Sequence, residues 1–372
     1  MRRKSRPSHH FNWRINWRRQ RVTASCALAV LLTVYAGTAS SAFNQAAAQP
    51  QGQQGQQGQQ GSDQLHQRFS DAKQRGDEKL RELSRGVMEM KKFSYKSRAD
   101  GMEIPAYIFQ PLKLRGPAGH SAIVWIHENL HGDFYAYYFT FIKEAVERGY
   151  VVICPEYRGS TGYGKEFYDA IDYGGYEVDD CLTAVDYLKA NVPQVDPNRI
   201  GVIGWSHGGF ITLHCLIRDQ KNFKAGAAIV PVTNLVFRLS YKGPGYTRSF
   251  SDQKRIGGAP HEKRDIYIER SPVYHVDKIQ TPLLVHLADN DRDVDFVEAE
   301  MLANALRVKK PDLAEVKIYH DPPGGHEFNR QVDRQTFQRT FTKAQQDSWN
   351  RIWTFFEWNL DPWRGAEGNN GK

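Results

Sequence analysis

From about residue 86 onward, the chain alternates short β-branched or apolar runs with longer stretches of helical period. Runs at 104–109, 121–126, 150–154, 199–203, 225–230, 282–287 and 315–319 have the length and continuous hydrophobicity of buried strands. Between them, 138–148, 178–191, 209–216 and 296–308 place apolar residues three and four apart, as helices do. Strands that alternate with helices predict an α/β domain: a mostly parallel sheet covered by helices on both faces. A final helix carries Trp349, Ile352, Trp353 and Phe356 on one face. An aromatic stripe of that spacing packs on a sheet. The stretch 232–280 is long and less regular, with Gly243-Pro244-Gly245 and Gly257-Gly258. It reads as a cap-like excursion between two core strands.

The region before the domain has a different texture. Residues 51–61 repeat Gln-Gln-Gly with no apolar side chain, which predicts a disordered spacer. Residues 65–83 are polar and helical in pattern, with Leu65, Phe69, Leu80 and Leu83 as their few apolar points. The expected organisation is therefore a leader over 1–48, spacer and polar segment over 49–85, folded domain over 86–362, and a disordered tail over 363–372.

The formal charge of +8 comes wholly from the leader, where eight basic residues occur with no acidic one. The remaining 42 basic residues balance 42 acidic ones. The folded part thus lacks the global field that draws a protein to nucleic acid or anionic lipid. Basic residues, an apolar run over 22–37 and small residues at 40–42 and 46–48 follow the order of a secretory signal peptide. A secreted or periplasmic protein is expected. An uncleaved anchor is the competing reading, and membrane contact would then come only through the leader. Arg18-Arg19 is a weak twin-arginine candidate in an incomplete context, and Cys26 precedes the apolar run, the wrong place for a lipidated cysteine. Cys154, Cys181 and Cys215 lie in segments that read as core, so inert thiols are expected. No metal spacing, phosphate-cradling loop or dinucleotide fingerprint appears, so no cofactor is called for.

The chemistry centres on Gly204-Trp205-Ser206-His207-Gly208, which sits between a predicted strand and a predicted helix. A serine on such a turn presents its hydroxyl, the glycines allow the tight backbone, and the next N–H, that of His207, faces a reacting carbonyl oxygen. The bland alternative is a Gly-rich turn with a solvated serine. A serine nucleophile needs a base, and the base needs an orienting acid. His326, in Gly324-Gly325-His326 after the last strand, is the candidate base. Asp289, Asp291 and Asp293 all follow the 282–287 strand, and spacing does not separate them. His207 and Trp205 are expected to pack locally.

Several further stretches occur in one order: Tyr157-Arg158-Gly159-Ser160-Thr161-Gly162-Tyr163-Gly164, Glu177-Val178-Asp179-Asp180, Val195-Asp196-Pro197-Asn198-Arg199-Ile200 and Arg270-Ser271-Pro272-Val273. With the serine turn they make the chain resemble the catalytic domain of the prolyl oligopeptidase family of serine peptidases, over about residues 93–358. The resemblance implies an α/β-hydrolase fold and an acid three residues before a valine, which maps to Asp291 ahead of Val294. It also implies a peptide substrate and an acyl-enzyme route. Two departures stand out. Where the family usually has His-Gly-Gly, this chain has His127-Glu128-Asn129. The second oxyanion donor is then a backbone N–H of Glu128–Asn129 or the Asn129 amide. Glu128 either binds a cationic substrate group or pairs with a nearby base such as Arg158. The second departure is the missing room for the β-propeller of larger members, which leaves a carboxylesterase as the alternative enzyme. Arg158 and Tyr163 either touch substrate or hold their Gly-rich loop. A non-catalytic binding protein is the alternative outside enzymes. The oligomeric state is open.

Overall fold

The predicted runs become strands because their side chains have no solvent face. The computed structural model describes residues 51–363, with side chains from Gly61 onward. The leader reading, and the tail beyond Trp363, lie outside the described residues. Eight strands form one sheet: β1 Met88–Lys96, β2 Glu103–Pro111, β3 His120–Ile126, β4 Val151–Pro155, β5 Val195–Trp205, β6 Ala225–Ile229, β7 Leu283–Ala288 and β8 Ala314–Tyr319. Their spatial order is β1-β2-β4-β3-β5-β6-β7-β8. β1 and β2 pair antiparallel, as do β2 and β4, and the other pairs are parallel. Every residue of β3, β4, β6 and β7 is buried. Strands covered on both faces read as continuous apolar runs rather than alternating ones. β1 was not foreseen. It is an edge strand with Lys91, Lys92 and Lys96 in it, and such charges mask an edge strand's signal while they block further pairing.

Ten helices accompany the sheet among the described residues: α1 Gln51–Ser84, α2 Phe139–Arg148, α3 Lys165–Asp169, α4 Tyr176–Asn191, α5 His207–Arg218, α6 Leu235–Tyr241, α7 Pro244–Ser251, α8 Arg264–Glu269, α9 Phe296–Lys309 and α10 Lys343–Leu360. Two hydrophobic clusters form, one on each side of the sheet. The stripe on α10 is buried in one of them, with Trp349, Ile352, Trp353 and Phe356 all at 1% exposure or less. The arrangement is the α/β-hydrolase fold. The chain leaves β3 toward β4 on one side and returns to β5 on the other. The C-terminal ends of β3 and β5 therefore flank the topological switch point, where α/β sheets hold their ligands. The excursion over 232–280 folds as α6, α7, α8 and a 3₁₀ turn at Pro272–Lys278. Among the described residues no helix is long and apolar enough to cross a membrane.

The spacer expectation needs correction. The chain is helical from Gln51, glutamine being a good helix former, and the second half of α1 docks on the domain. Leu80 is fully buried. Lys73 is 4% exposed, and its Nζ lies 2.5 Å from Glu156, 3.5 Å from Asp77 and 3.9 Å from Asp133. The same ammonium donates to the Phe134 carbonyl at 3.1 Å. Polar residues that looked solvated are buried here because they satisfy one another, which composition alone does not reveal. At the other end Trp363 belongs with the domain, pairing with His120 and donating from Nε1 to the Ala118 carbonyl at 3.3 Å.

Among the described residues, Lys73 is the one cation within 4 Å of Glu156 and Asp133, apart from a contact between Glu156 and His127. Lys73→Met should cost about 3 kcal/mol, since it strands buried carboxylates. Thermal unfolding of the variant measures this, and an unchanged midpoint would contradict the docked helix.

Candidate active site

The serine turn is built by close backbone approach. Ile126 at the end of β3 stands beside Gly204 near the end of β5. A Cβ on Gly204 would lie 2.3 Å from the Gly208 carbonyl group, and one on Gly208 would lie 2.5 Å from the Ile126 carbonyl oxygen. Neither position tolerates a side chain. Ser206 between them has φ 52° and ψ −116°, a sparsely populated positive-φ conformation that costs a non-glycine residue roughly 1–3 kcal/mol. Three backbone hydrogen bonds hold it there: Ser206 N–H to the Ile229 carbonyl (3.0 Å), and Phe210 N–H (2.9 Å) and Val232 N–H (3.3 Å) to the Ser206 carbonyl. The residue is only 5% exposed, more enclosed than a serine standing open on its turn. Residue 207 opens α5, so its N–H has no partner within the helix.

His326 lies in a 3₁₀ turn after β8, led by Gly324 at φ 97° and Gly325 at φ 51°. Its Nδ1–H donates to Asp291 Oδ2 at 2.6 Å. The other oxygen of Asp291 accepts from Asp293 N–H (2.8 Å) and Val294 N–H (3.0 Å), which fixes the carboxylate's plane. The three aspartates are separated by their partners. Asp289 accepts from Asp321 N–H at 2.6 Å and sits 2.8 Å from His320, away from His326. Asp293 is tied to the excursion by Lys242 at 2.6 Å and by Arg238. Burial acts to raise Asp293, but Lys242, His326 and Arg238 outweigh it and hold the carboxyl below its ordinary range. Among the described residues no hydrogen bond joins the Ser206 hydroxyl to His326. Instead, His326 Nε2 lies 3.6 Å from Asp293 Oδ2. Such contacts commonly tighten only when substrate is bound. An open pocket of about 560 Å³ lies here, lined by Asn290, Asp293, Asp321 and His326 among others.

The other histidines near the serine are fixed as neutral packing groups. His207 is 3% exposed and surrounded by the rings of Tyr157, Tyr173 and Phe210. Burial holds it well below the usual imidazole range. His127 donates from Nδ1 to the Glu128 carbonyl at 2.8 Å, stacks on Tyr157, and is pushed down to about 4 by burial.

The loop after β3 departs from expectation in its partners. Asn129 takes the left-handed conformation at φ 63°, which asparagine tolerates where most residues do not. Its side chain is exposed, and its carbonyl accepts from the Tyr157 hydroxyl at 2.7 Å. The Glu128 N–H is taken by the Tyr138 hydroxyl at 3.2 Å. The Glu128 carboxylate is buried, contacts Arg330 and accepts from the Tyr137 hydroxyl. Its basic partner is therefore Arg330, not Arg158. Nothing in the spacing marks Arg330, four residues after His326. Only the need for a counter-charge to Glu128 could have pointed to it.

Arg158 is 1% exposed and turned inward, bonded to Asp180 (2.8 Å), Asp100 (2.8 Å) and Ser97 (3.3 Å). Tyr163 packs on Phe167 under the Lys92 ammonium. These partners are what the loop-holding alternative requires of both residues.

The sequence profile of the prolyl oligopeptidase family matches residues 136–351, more than half of the chain. The chain belongs to the prolyl oligopeptidase family. A Bacillus subtilis member with the name uncharacterized peptidase YuxL is 30% identical over 233 residues, covering 62% of this chain and 34% of its own. Dipeptidyl aminopeptidase BIII of Pseudoxanthomonas mexicana is 34% identical over 196 residues, or 51% of this chain and 28% of its own. The acylaminoacyl peptidase structure from Pyrococcus horikoshii superposes with a TM-score of 0.61 at 20% identity, over 75% of this chain and 43% of its own, a likeness of fold. This chain spans about a third of the length of these curated relatives, and its described residues contain no propeller.

Behind the serine turn, Glu177 is fully buried, with Oε1 3.9 Å from His207 Nε2 and Oε2 accepting from Gly175 N–H at 3.1 Å. Burial, with Asp172 adding repulsion, pushes it up to about 8. A carboxyl raised in the folded state favours folding below its unfolded pKa and loses that contribution as pH rises through its folded one. Urea midpoints of wild type and Glu177→Gln should therefore move apart in the variant's favour from about pH 5 to about pH 8.5. A difference independent of pH would contradict this assignment.

Proposed function

We propose that the protein hydrolyses peptide bonds through Ser206, His326 and Asp291. Ser206 Oγ attacks the scissile carbonyl carbon, and His326 Nε2 takes the hydroxyl proton. Asp291 keeps the imidazole in the tautomer with hydrogen on Nδ1 and stabilises the imidazolium that forms. The carbonyl oxygen becomes an oxyanion, received by the His207 N–H and by Asn129 through its backbone N–H. Of the two N–H groups in Glu128–Asn129, the first is already occupied by Tyr138, which favours the second. His326 returns the proton to the leaving amine. Water, deprotonated by the same imidazole, then releases the acyl group.

The observation that carries this reading is the 2.6 Å bond from His326 Nδ1 to Asp291, on the same sheet edge as a serine held at positive φ. A structural histidine would not need a buried acid oriented by two backbone N–H groups. A carboxylesterase is the second reading, favoured by the open pocket beside His326.

A panel of aminoacyl and dipeptidyl p-nitroanilides and short-chain p-nitrophenyl esters tests both. Peptidase action predicts turnover of amides and esters by wild type, and loss of both in Ser206→Ala. Asp291→Asn should lower kcat by about 10³–10⁴. Turnover of esters alone would favour the esterase. Undiminished turnover by Ser206→Ala would remove Ser206 as nucleophile.

A further inference from the structure

Two adjacent residues that no catalytic step uses touch all three working parts of the site. Asn329 and Arg330 follow the base by three and four positions. Asn329 is fully buried, and its Oδ1 accepts from Trp205 Nε1–H at 2.8 Å. Trp205 is the residue immediately before the nucleophile, so this bond ties the base loop to the serine turn. The Asn329 carbonyl accepts from Trp349 Nε1–H at 2.6 Å, and its Nδ2 donates to Ser348 Oγ at 3.1 Å, anchoring the dipeptide to α10. Arg330, 8% exposed, lies against the Glu128 carboxylate in the loop after β3. Tyr137 donates to the same carboxylate.

The ion pair also answers an electrostatic problem. Glu128 sits one residue after His127, whose carbonyl oxygen is so near the first turn of α5 that a Gly208 Cβ would come within 2.6 Å of it. An ionised carboxylate on the residue before Asn129, whose N–H is assigned to the oxyanion, adds negative potential to that loop. Unpaired, it would oppose catalysis. The Arg330 guanidinium in contact with it is the counter-charge at hand, itself held down to about 9 by burial. Arg330 Nε and Glu128 Oε2 are both shut off from solvent, so water does little to screen either charge.

We propose that Glu128 and Arg330 are positioning residues: an ion pair, seated on Asn329, that locks the oxyanion loop to the base loop and neutralises the carboxylate beside the oxyanion. The proposal rests on the serine-hydrolase reading above. It requires Arg330 for rate rather than for affinity, and it makes Glu128 harmful once Arg330 is gone.

The test uses the full chain, with p-nitrophenyl acetate as substrate and fluorophosphonate labelling as a control for the nucleophile. Arg330→Met should lower kcat roughly ten- to hundredfold with KM within about twofold. The double variant Glu128→Gln/Arg330→Met should recover about tenfold over Arg330→Met, because no unpaired carboxylate remains. A merely structural arginine predicts the reverse, with the double variant no faster than the single. That result, or a kcat for Arg330→Met within twofold of wild type, overturns the proposal. Should Arg330→Met fail to fold, Glu128→Gln and Arg330→Lys decide. Glu128→Gln, assayed well below its lowered thermal midpoint, should lose about tenfold in kcat, and Arg330→Lys should stay within about fivefold of wild type. Wild-type rates in both would overturn the lock. A wild type that neither turns over ester nor takes the probe sinks the serine-hydrolase reading and the lock with it. A labelled wild type whose variants match it sinks the lock alone.

Discussion

The site depends on how closely three pieces of backbone meet. The end of β3, the end of β5 and the first turn of α5 approach within the radius of a single methyl group, and Gly204 and Gly208 are the residues that permit it. That approach forces Ser206 into a conformation it would not choose, and bonds to the carbonyl of Ile229 and from the N–H groups of Phe210 and Val232 hold it there. Strain of this kind persists only where surrounding structure over-determines it. The same approach places the loop after β3 beside the open N-terminus of α5. What that loop carries therefore decides the electrostatics of the reaction, and in this chain it carries a glutamate.

Buried ion pairs form the second layer of the design. Lys73 ties α1 to Glu156 behind the β3 loop, Arg158 ties the Gly-rich loop to Asp180, and Arg238 ties α6 to Glu298 beside the acid loop. The first two join a loop near the site to a helix, and the third joins two helices, α6 and α9. Such pairs contribute little net stability compared with an apolar core, but breaking one partner is costly, so they fix arrangement more than they add strength. The docked α1 lies against the domain by one such pair and by the buried Leu80, close to the loops over 128–134 and 156–163.

Much of this was legible in the sequence because burial on both faces writes itself as continuous apolar runs. β3 through β8, the stripe on α10 and the strand-turn-helix around Ser206 were all visible that way. Chain order made His326 the candidate base, and the family resemblance singled out Asp291 where spacing left three aspartates open. What stayed hidden has one physical cause. Buried polar groups look like solvated ones until their partners are known. Lys73 and Asp77 read as part of a polar helical segment, Arg158 stayed open between touching substrate and holding its loop, and Arg158 rather than Arg330 was the example of a base for Glu128. Edge strand β1 was hidden by its lysines, which exist to keep it from looking like a strand to other chains. Asn129 could be misread as a lost glycine, yet asparagine is the residue that can take a glycine's left-handed angles.

The central claim is that Ser206 is the nucleophile of this prolyl oligopeptidase family member. It is tested most directly by peptide mapping after reaction with diisopropyl fluorophosphate. Trypsin should release residues 200–218 as one peptide, and that peptide contains a single serine. The account predicts one stoichiometric phosphoryl adduct on it, located to Ser206 by fragmentation, with hydrolytic activity lost in proportion. An adduct at any other residue, or full inactivation with this peptide unmodified, would contradict it.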